Sequence, residues 1–465
     1  MMKNNHYLLF ISLLLNVLLS ACKEKNVSPD STDVRDSVYY YTKMYYLWTD
    51  KLPSASDFKP TSYASPTAVI EKVKTYSPAN SNYNSSDPRS SPYADRYSFV
   101  TSQKNWYNRV AGNYADFGVY LRYMSANDVR VGQVYEGSAF GNAGIKRGWR
   151  LVRVGNIDGT SANAQSIRDL INANNTLTFV FEKPDLTQQT FTLTKSSYAA
   201  NFVTNAKVII SGSKKIGYFY FDSFLGNNSG QETINKLTSV FNDFASQQID
   251  ALVVDIRYNG GGYTRVQEAL ANLIAPATAK SKKMYTYQWN AAVQASLQQS
   301  NTSPTINFDS QASKLGISQV VFLTGYYTAS ASELLINNLK PYMDVKLVGD
   351  KTYGKPVGFP VLDITMSRTD SSQNIVVAPV AFKTVNANGN GDYYYGIDVD
   401  KLQTDDATHD FGDPQEACLK DAIRYLTNGN FLRTADETIK TTPEINQLNK
   451  TLNTRQSIGM FFKMP

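Results

Sequence analysis

A serine, a lysine and a glycine turn fall where three successive strand ends would bring them together. Ser330 sits in Thr328-Ala329-Ser330-Ala331-Ser332-Glu333, between an apolar run over 319–324 and a helical pattern over 330–339. A strand–serine–helix order turns the hydroxyl toward the carboxyl end of a parallel sheet, where ligands usually bind. The first amides of such a helix also stabilise an oxyanion. Ser330-x-x-Glu333 is equally a capping box, and taken alone that would account for it. Lys355 closes Thr352-Tyr353-Gly354-Lys355 after the next strand, over 345–348, which puts it at the same sheet end. Asp255-Ile256-Arg257-Tyr258-Asn259-Gly260-Gly261-Gly262 ends the preceding strand in a turn whose bare amides can approach a substrate carbonyl.

Composition narrows the chemistry. The 465 residues include two histidines and two cysteines, which excludes a disulfide scaffold and a zinc site built from several such ligands. No HExxH is present. His409 lies in the polar loop Asp405-Asp406-Ala407-Thr408-His409-Asp410, where a solvated imidazole is the default and a Ser-His-Asp arrangement requires the loop to fold into a site. The other means of activating a hydroxyl at neutral pH is a desolvated lysine, whose ammonium is disfavoured by burial. Lys+Arg 46 against Asp+Glu 40 leaves +6 with no basic block, so nucleic acid is not an expected partner. A 42% hydrophobic, 18% charged chain of this length is globular and predicts two or three domains.

The ends give an address. Residues 1–21 read as a secretory signal peptide, with an apolar run from Tyr7 to Ala21. Leu19-Ser20-Ala21-Cys22 resembles a bacterial lipobox, which implies lipidation of Cys22 and a polar tether over 22–33. The expected location is the bacterial cell envelope, lipid-anchored at the periplasmic face or outer membrane. Removal of the leader takes His6 and lipidation accounts for Cys22, so the folded part holds only His409 and Cys418 of the four scarce residues. Cys418 falls on the apolar face of a helix predicted to start at Asp413-Pro414, and reads as a small core residue.

The elements that must position the site form three units in a multidomain α/β chain. Residues 34–111 read as a small helical domain, with Val38, Tyr41, Tyr45 and Trp48 at helical spacing and a helix ending near Leu52-Pro53. Residues 112–198 are β-rich and resemble a PDZ domain through Gly137-Ser138-Ala139 and Ala143-Gly144-Ile145, with Trp149 where an Asp is usual. That resemblance implies peptide binding by Phe117, Gly118, Val119 and Tyr120, whose amides would capture a terminal carboxylate. Residues 199–430 alternate strands and helices as a parallel α/β layer does, and 431–465 are a C-terminal extension.

These landmarks together resemble the C-terminal processing peptidases, the S41 serine peptidases. The resemblance rests on "D-x-R-x-N-G-G-G", "A-S-A-S-E" and "T-[FY]-G-K" in order, with Lys355 25 residues after Ser330, and on Gly396-Ile397-Asp398. It implies a crotonase/ClpP-like peptidase core, Ser330 as nucleophile, Lys355 as general base, and an oxyanion hole from the amides of Gly262 and Ala331. It further implies protein or peptide substrates, engaged through their C-termini, and no metal or organic cofactor. Phe359 stands where many relatives carry a glutamine that orients the lysine. A non-catalytic peptide-binding lipoprotein of the same fold, and a hydrolase that uses His409, are the alternatives.

Overall fold

The apolar runs ending in Asp255 and Thr324 pair as parallel strands, Leu252 opposite Val320 and Asp255 opposite Leu323. Alternate side chains go to opposite faces. Leu252, Val254, Val320 and Phe322 enter the main core, while Ala251, Val253, Val321 and Leu323 meet Cys418, Leu419, Ala422 and Leu426. Burial on both faces is why these runs are apolar almost throughout. The structure, a computed structural model, describes residues 33–80, 83, 91–365, 373–431, 443–452 and 459–463. The expected signal peptide, Cys22 and nearly all of the tether lie outside the described residues. Among the described residues no helix is long and apolar enough to cross a membrane.

The chain begins with α1 (Val34–Tyr45), α2 (Pro66–Lys74), β1 (Phe99–Ser102), α3 (Gln103–Ala111) and β2 (Asn113–Asp116). A second unit follows: β3 (Val119–Ser125), β4 (Asp128–Val134), β5 (Arg150–Val154), β6 (Ile157–Asp158), α4 (Ala164–Ala173), β7 (Thr176–Glu182) and β8 (Gln188–Thr194). Its antiparallel sheet runs β3-β4-β5-β7-β8, so β3 is an edge strand. β9 (Ser196–Ala199) returns to pair with β2.

The remainder contains β10 (Val203–Ser211), β11 (Lys214–Phe221), α5 (Asn227–Gln247), β12 (Ala251–Asp255), β13 (Gly261–Tyr263), α6 (Thr264–Ile274), β14 (Lys283–Trp289) and β15 (Thr305–Asn307). Then come β16 (Gln319–Thr324), α7 (Ala331–Leu339), β17 (Asp344–Gly349), β18 (Val357–Ile364), β19 (Ile375–Ala378), β20 (Phe382–Asn386) and β21 (Lys401–Leu402). The last elements are α8 (Ala417–Asn428), α9 (Pro443–Leu452) and β22 (Gly459–Lys463). One sheet has the order β10-β11-β12-β16-β17-β21, parallel from β11 onward. A second, β1-β19-β18-β20-β14-β15, carries β22 against β18 and β13.

Three sequence expectations change. Among the described residues the 34–111 segment encloses no core of its own: Val38, Tyr45, Val69 and Ile70 share one cluster with Leu252 and Phe322, because β1 pairs with β19 and draws the helices onto the second sheet. α1 stops at Tyr45 rather than near Leu52, since Tyr46 N–H closes on Thr42 O and Leu47 N–H turns to Val380 O at 2.8 Å. α8 is capped by Glu416, whose side chain accepts from Leu419 N–H at 2.9 Å, and not by Asp413. Cys418, 2% exposed, is the core residue its position implied.

Candidate active site

Ser330 stands at the turn from β16 into α7 with φ 61° and ψ −109°, a conformation that non-glycine residues adopt only when their surroundings impose it. Asn259 of the glycine turn supplies part of that constraint: its carbonyl accepts from Ala329 N–H and Ser332 Oγ, both at 3.0 Å. Thr328 Oγ1 donates to Ile256 O at 2.8 Å. The glutamate half of the capping box is made, with Glu333 Oε2 accepting from Ser330 N–H at 2.8 Å. The hydroxyl is not consumed by it: Ser330 is fully buried and its Oγ has no hydrogen-bond partner.

Lys355 is 2% exposed and lies two residues before β18. Its Nζ lies over the rings of Tyr97 and Phe359, 4.9 Å from each centroid. Burial pushes its pKa down to about 7, with Asp95 and Glu333 pulling upward and Arg96 and Arg109 downward. A lysine in that range is a competent general base at neutral pH. The aromatic face of Phe359 thus occupies the place where an amide oxygen was expected. A Ser330–Lys355 hydrogen bond is not made in this state, since Ser330 Oγ has no partner.

Glu333 joins the two loops. Oε2 also accepts from Lys355 N–H at 2.8 Å, and Oε1 from Gly354 N–H at 2.7 Å and Thr352 Oγ1 at 2.6 Å. This carboxylate is fully buried, and burial raises its pKa against the pull of those donors. Gly354, at φ 89°, passes so close to Tyr394 O and Gly396 N that an added Cβ would stand 2.5 Å from each. From the N-terminal segment, Arg96 donates to Tyr353 O and Gly354 O at 3.2 and 3.1 Å, and Tyr97 OH to Gly354 O at 2.5 Å. The sequence carried no chemistry in this segment; the structure puts its side chains around the lysine.

The glycine turn is bound on both sides. Phe224 N–H donates to Gly261 O and Tyr263 N–H to Phe224 O, each at 3.0 Å. Backbone groups alternate along an extended strand, so the Gly262 N–H faces the opposite neighbour, β22, with Met460 in register. A Cβ at Gly262 would lie 2.5 Å from the Phe224 carbonyl. Ala331 opens α7, where the first amides have no intrahelical acceptor. Behind the turn, Arg257 pairs with Asp255 at 2.8 Å, Glu416 at 2.9 Å and Asp405 at 2.6 Å. Asp405 also takes Arg147 at 2.6 Å and Tyr258 OH at 2.5 Å. Burial alone would raise the Asp405 pKa; Arg147, Arg122 and Arg257 hold it well below the usual carboxylate range.

The other sequence candidates fall elsewhere. Phe117 is in the core of the second unit, and Tyr120 stacks toward Tyr258 with centroids 4.6 Å apart. Val119 is paired with Val134, and the Gly118 N–H already donates to Asp116 Oδ1 at 2.7 Å. A carboxylate so placed repels a second one, so Gly118 offers no open anion cradle in this state. His409 Nδ1 bonds Asp406 Oδ2 at 2.6 Å and is not bonded to Ser330.

Residues 215–394, which include the glycine turn, Ser330, Glu333 and Lys355, match the sequence profile of Peptidase family S41. No curated protein matches the chain. Among solved structures it is similar to a Bacteroides fragilis protein described as an S41 protease, 20% identical, over 85% of this chain and 97% of that one with TM-score 0.66. The photosystem II D1 C-terminal processing protease aligns at 18% identity over 79% of this chain and 92% of its own, with TM-score 0.46. Over residues 215–394 the chain therefore carries a Peptidase family S41 domain.

Proposed function

We propose that the protein is a serine endopeptidase acting through a Ser330–Lys355 dyad and an acyl-enzyme. The observation that carries this reading is a buried serine in a constrained conformation, tied through Glu333 to the loop of a lysine that burial has brought to about 7. Lys355 takes the Ser330 proton as Oγ attacks the scissile carbonyl, and the Gly262 and Ala331 amides hold the oxyanion. Lys355 then gives the proton to the leaving amine and activates water for deacylation. The Oγ–Nζ contact has to close on substrate binding, as catalytic hydrogen bonds often do.

In the same reading residues 112–198 are a PDZ domain that engages substrate C-termini, and Cys22 anchors the protein in the envelope, where its substrates are found. Cleavage of an unstructured protein by the wild type and its loss in Ser330→Ala test the activity. A second reading, peptide binding without hydrolysis, is favoured by the unbonded Ser330 Oγ and the covered Gly262 N–H. Peptide binding without turnover by the wild type would establish it.

A further inference from the structure

Two elements near the end of this chain, α9 and β22, fill the two surfaces that would receive a peptide. The first is the groove between edge strand β3 and α4. α9 packs against both elements, and Leu452 enters the core of the second unit, with Ile445 and Leu448 packed on it. Asn449 does here what a peptide backbone would do. Its Oδ1 accepts the Tyr123 N–H at 2.7 Å and its Nδ2 donates to Tyr123 O at 3.4 Å. Those are backbone groups of the edge strand, the ones that strand addition uses. Tyr327, three residues before Ser330, donates its hydroxyl to Asn449 O at 3.0 Å, which ties α9 to the loop of the nucleophile.

The second surface is the slot between β13 and β18. β22 runs parallel to both, Met460 opposite Gly262 and Gly358, Phe461 opposite Tyr263 and Phe359. The Phe461 ring is buried among Tyr263, Trp106 and Phe359, at centroid distances of 4.5, 5.0 and 6.0 Å. Phe359 is the ring that also carries the Lys355 ammonium. With β22 in place the Gly262 N–H is directed into a strand pairing, so the oxyanion hole lacks one donor.

We propose that α9 and β22 form an intramolecular occupant of the peptide-binding surfaces, and that β22 must leave its slot before Ser330 is acylated. This rests on the peptidase reading given above. A substrate strand that replaces β22 inherits its register, and so presents a large apolar side chain to the Trp106–Tyr263–Phe359 pocket. Opening is then a population shift that substrate binding drives.

Asn449→Ala tests the occupant directly. Alanine is the better helix former, so α9 persists while both bonds to Tyr123 are lost. In the full chain, hydrogen exchange over β18 and β22 should rise, and fluorophosphonate labelling of Ser330 should quicken by about tenfold or more as the open population grows. Phe461→Ala, which empties the pocket, should act in the same direction. A synthetic Gly-Met-Phe-Phe-Lys peptide should slow labelling of Asn449→Ala again. Unchanged exchange in both variants, or raised exchange with labelling no faster, would overturn the proposal. If Ser330 is never labelled in any form, the peptidase reading falls, and the occupant is judged by exchange and by binding of the peptide to Asn449→Ala alone.

Discussion

The backbone N–H groups of Ser330 and Lys355 converge on a single oxygen, Oε2 of Glu333, each at 2.8 Å. Residues 25 positions apart are thereby fixed against one buried carboxylate, which couples the Ser330 turn to the Lys355 loop. A Glu333→Gln substitution supplies an amide group that donates where a donor already points, so at least one of the four bonds becomes a repulsion. We expect a stability loss of about 3 kcal/mol, from losing charged hydrogen bonds in a buried site. Acylation of Ser330 should slow by about 100-fold as the two loops decouple. Thermal unfolding and labelling kinetics check the two effects separately; normal labelling with lowered stability would reduce Glu333 to a helix cap.

The Lys355 pKa fixes a pH profile. In the proposed mechanism the amine accepts a proton only when neutral, so acylation should rise with pH and level off above about 7. Linkage follows from the same shift: between about 7 and the usual lysine value the unfolded chain binds the extra proton. Stability from this group therefore increases with pH across that window, and the penalty of burying the ammonium is fully present below it. Lys355→Met, which removes the charge at similar volume, should abolish turnover and yet unfold at higher temperature than the wild type at pH 7. The gain should shrink toward pH 10.

Phe359 sets where that profile sits. Its ring face favours the ammonium, and a cation–ring contact of this kind contributes about 0.5–1 kcal/mol, or up to about 2 when desolvated. Phe359→Leu should lower the midpoint of the pH–rate curve by about half a pH unit or more. An unmoved midpoint would show that the ring does not contribute to the lysine's pKa.

The ion cluster behind the glycine turn is a stability element. Asp405→Asn takes the acidic partner from Arg147 and one of three from Arg257, leaves the Arg147 charge buried without compensation, and should cost about 3–5 kcal/mol. Denaturant unfolding would report it.

Local signals were legible in the sequence, and contacts made across distance were not. The loops that carry Ser330, Lys355 and the glycine turn each follow an apolar run, so alternation of apolar runs and breakers marks the loops, while the roles expected of Ser330, Lys355 and Gly262 rest on the family resemblance. The Cys418 face was legible for the same reason, because a helical period needs only its own neighbours. Glu333 looked like a capping residue because its bond to Ser330 is local; its bonds to Thr352, Gly354 and Lys355 reach 19 to 22 residues onward. Arg96 and Tyr97 reach the base loop across some 257 residues, a separation with no periodic signature. Pairing of β1 with β19 is equally non-local, which is why the N-terminal segment read as a domain apart. At Phe359 the expected hydrogen-bonding partner is replaced by an aromatic face, and only geometry shows that the ring takes up the lysine.

Catalysis as proposed depends on activation of Ser330 by Lys355. It is tested most directly by the rate at which a fluorophosphonate acylates the wild type, Lys355→Ala and His409→Ala, with the modified residue located by mass spectrometry. Modification at Ser330 is expected in the wild type and in His409→Ala alike, and none in Lys355→Ala that is still folded. Labelling of folded Lys355→Ala at the wild-type rate, or its loss in His409→Ala alone, would contradict that mechanism.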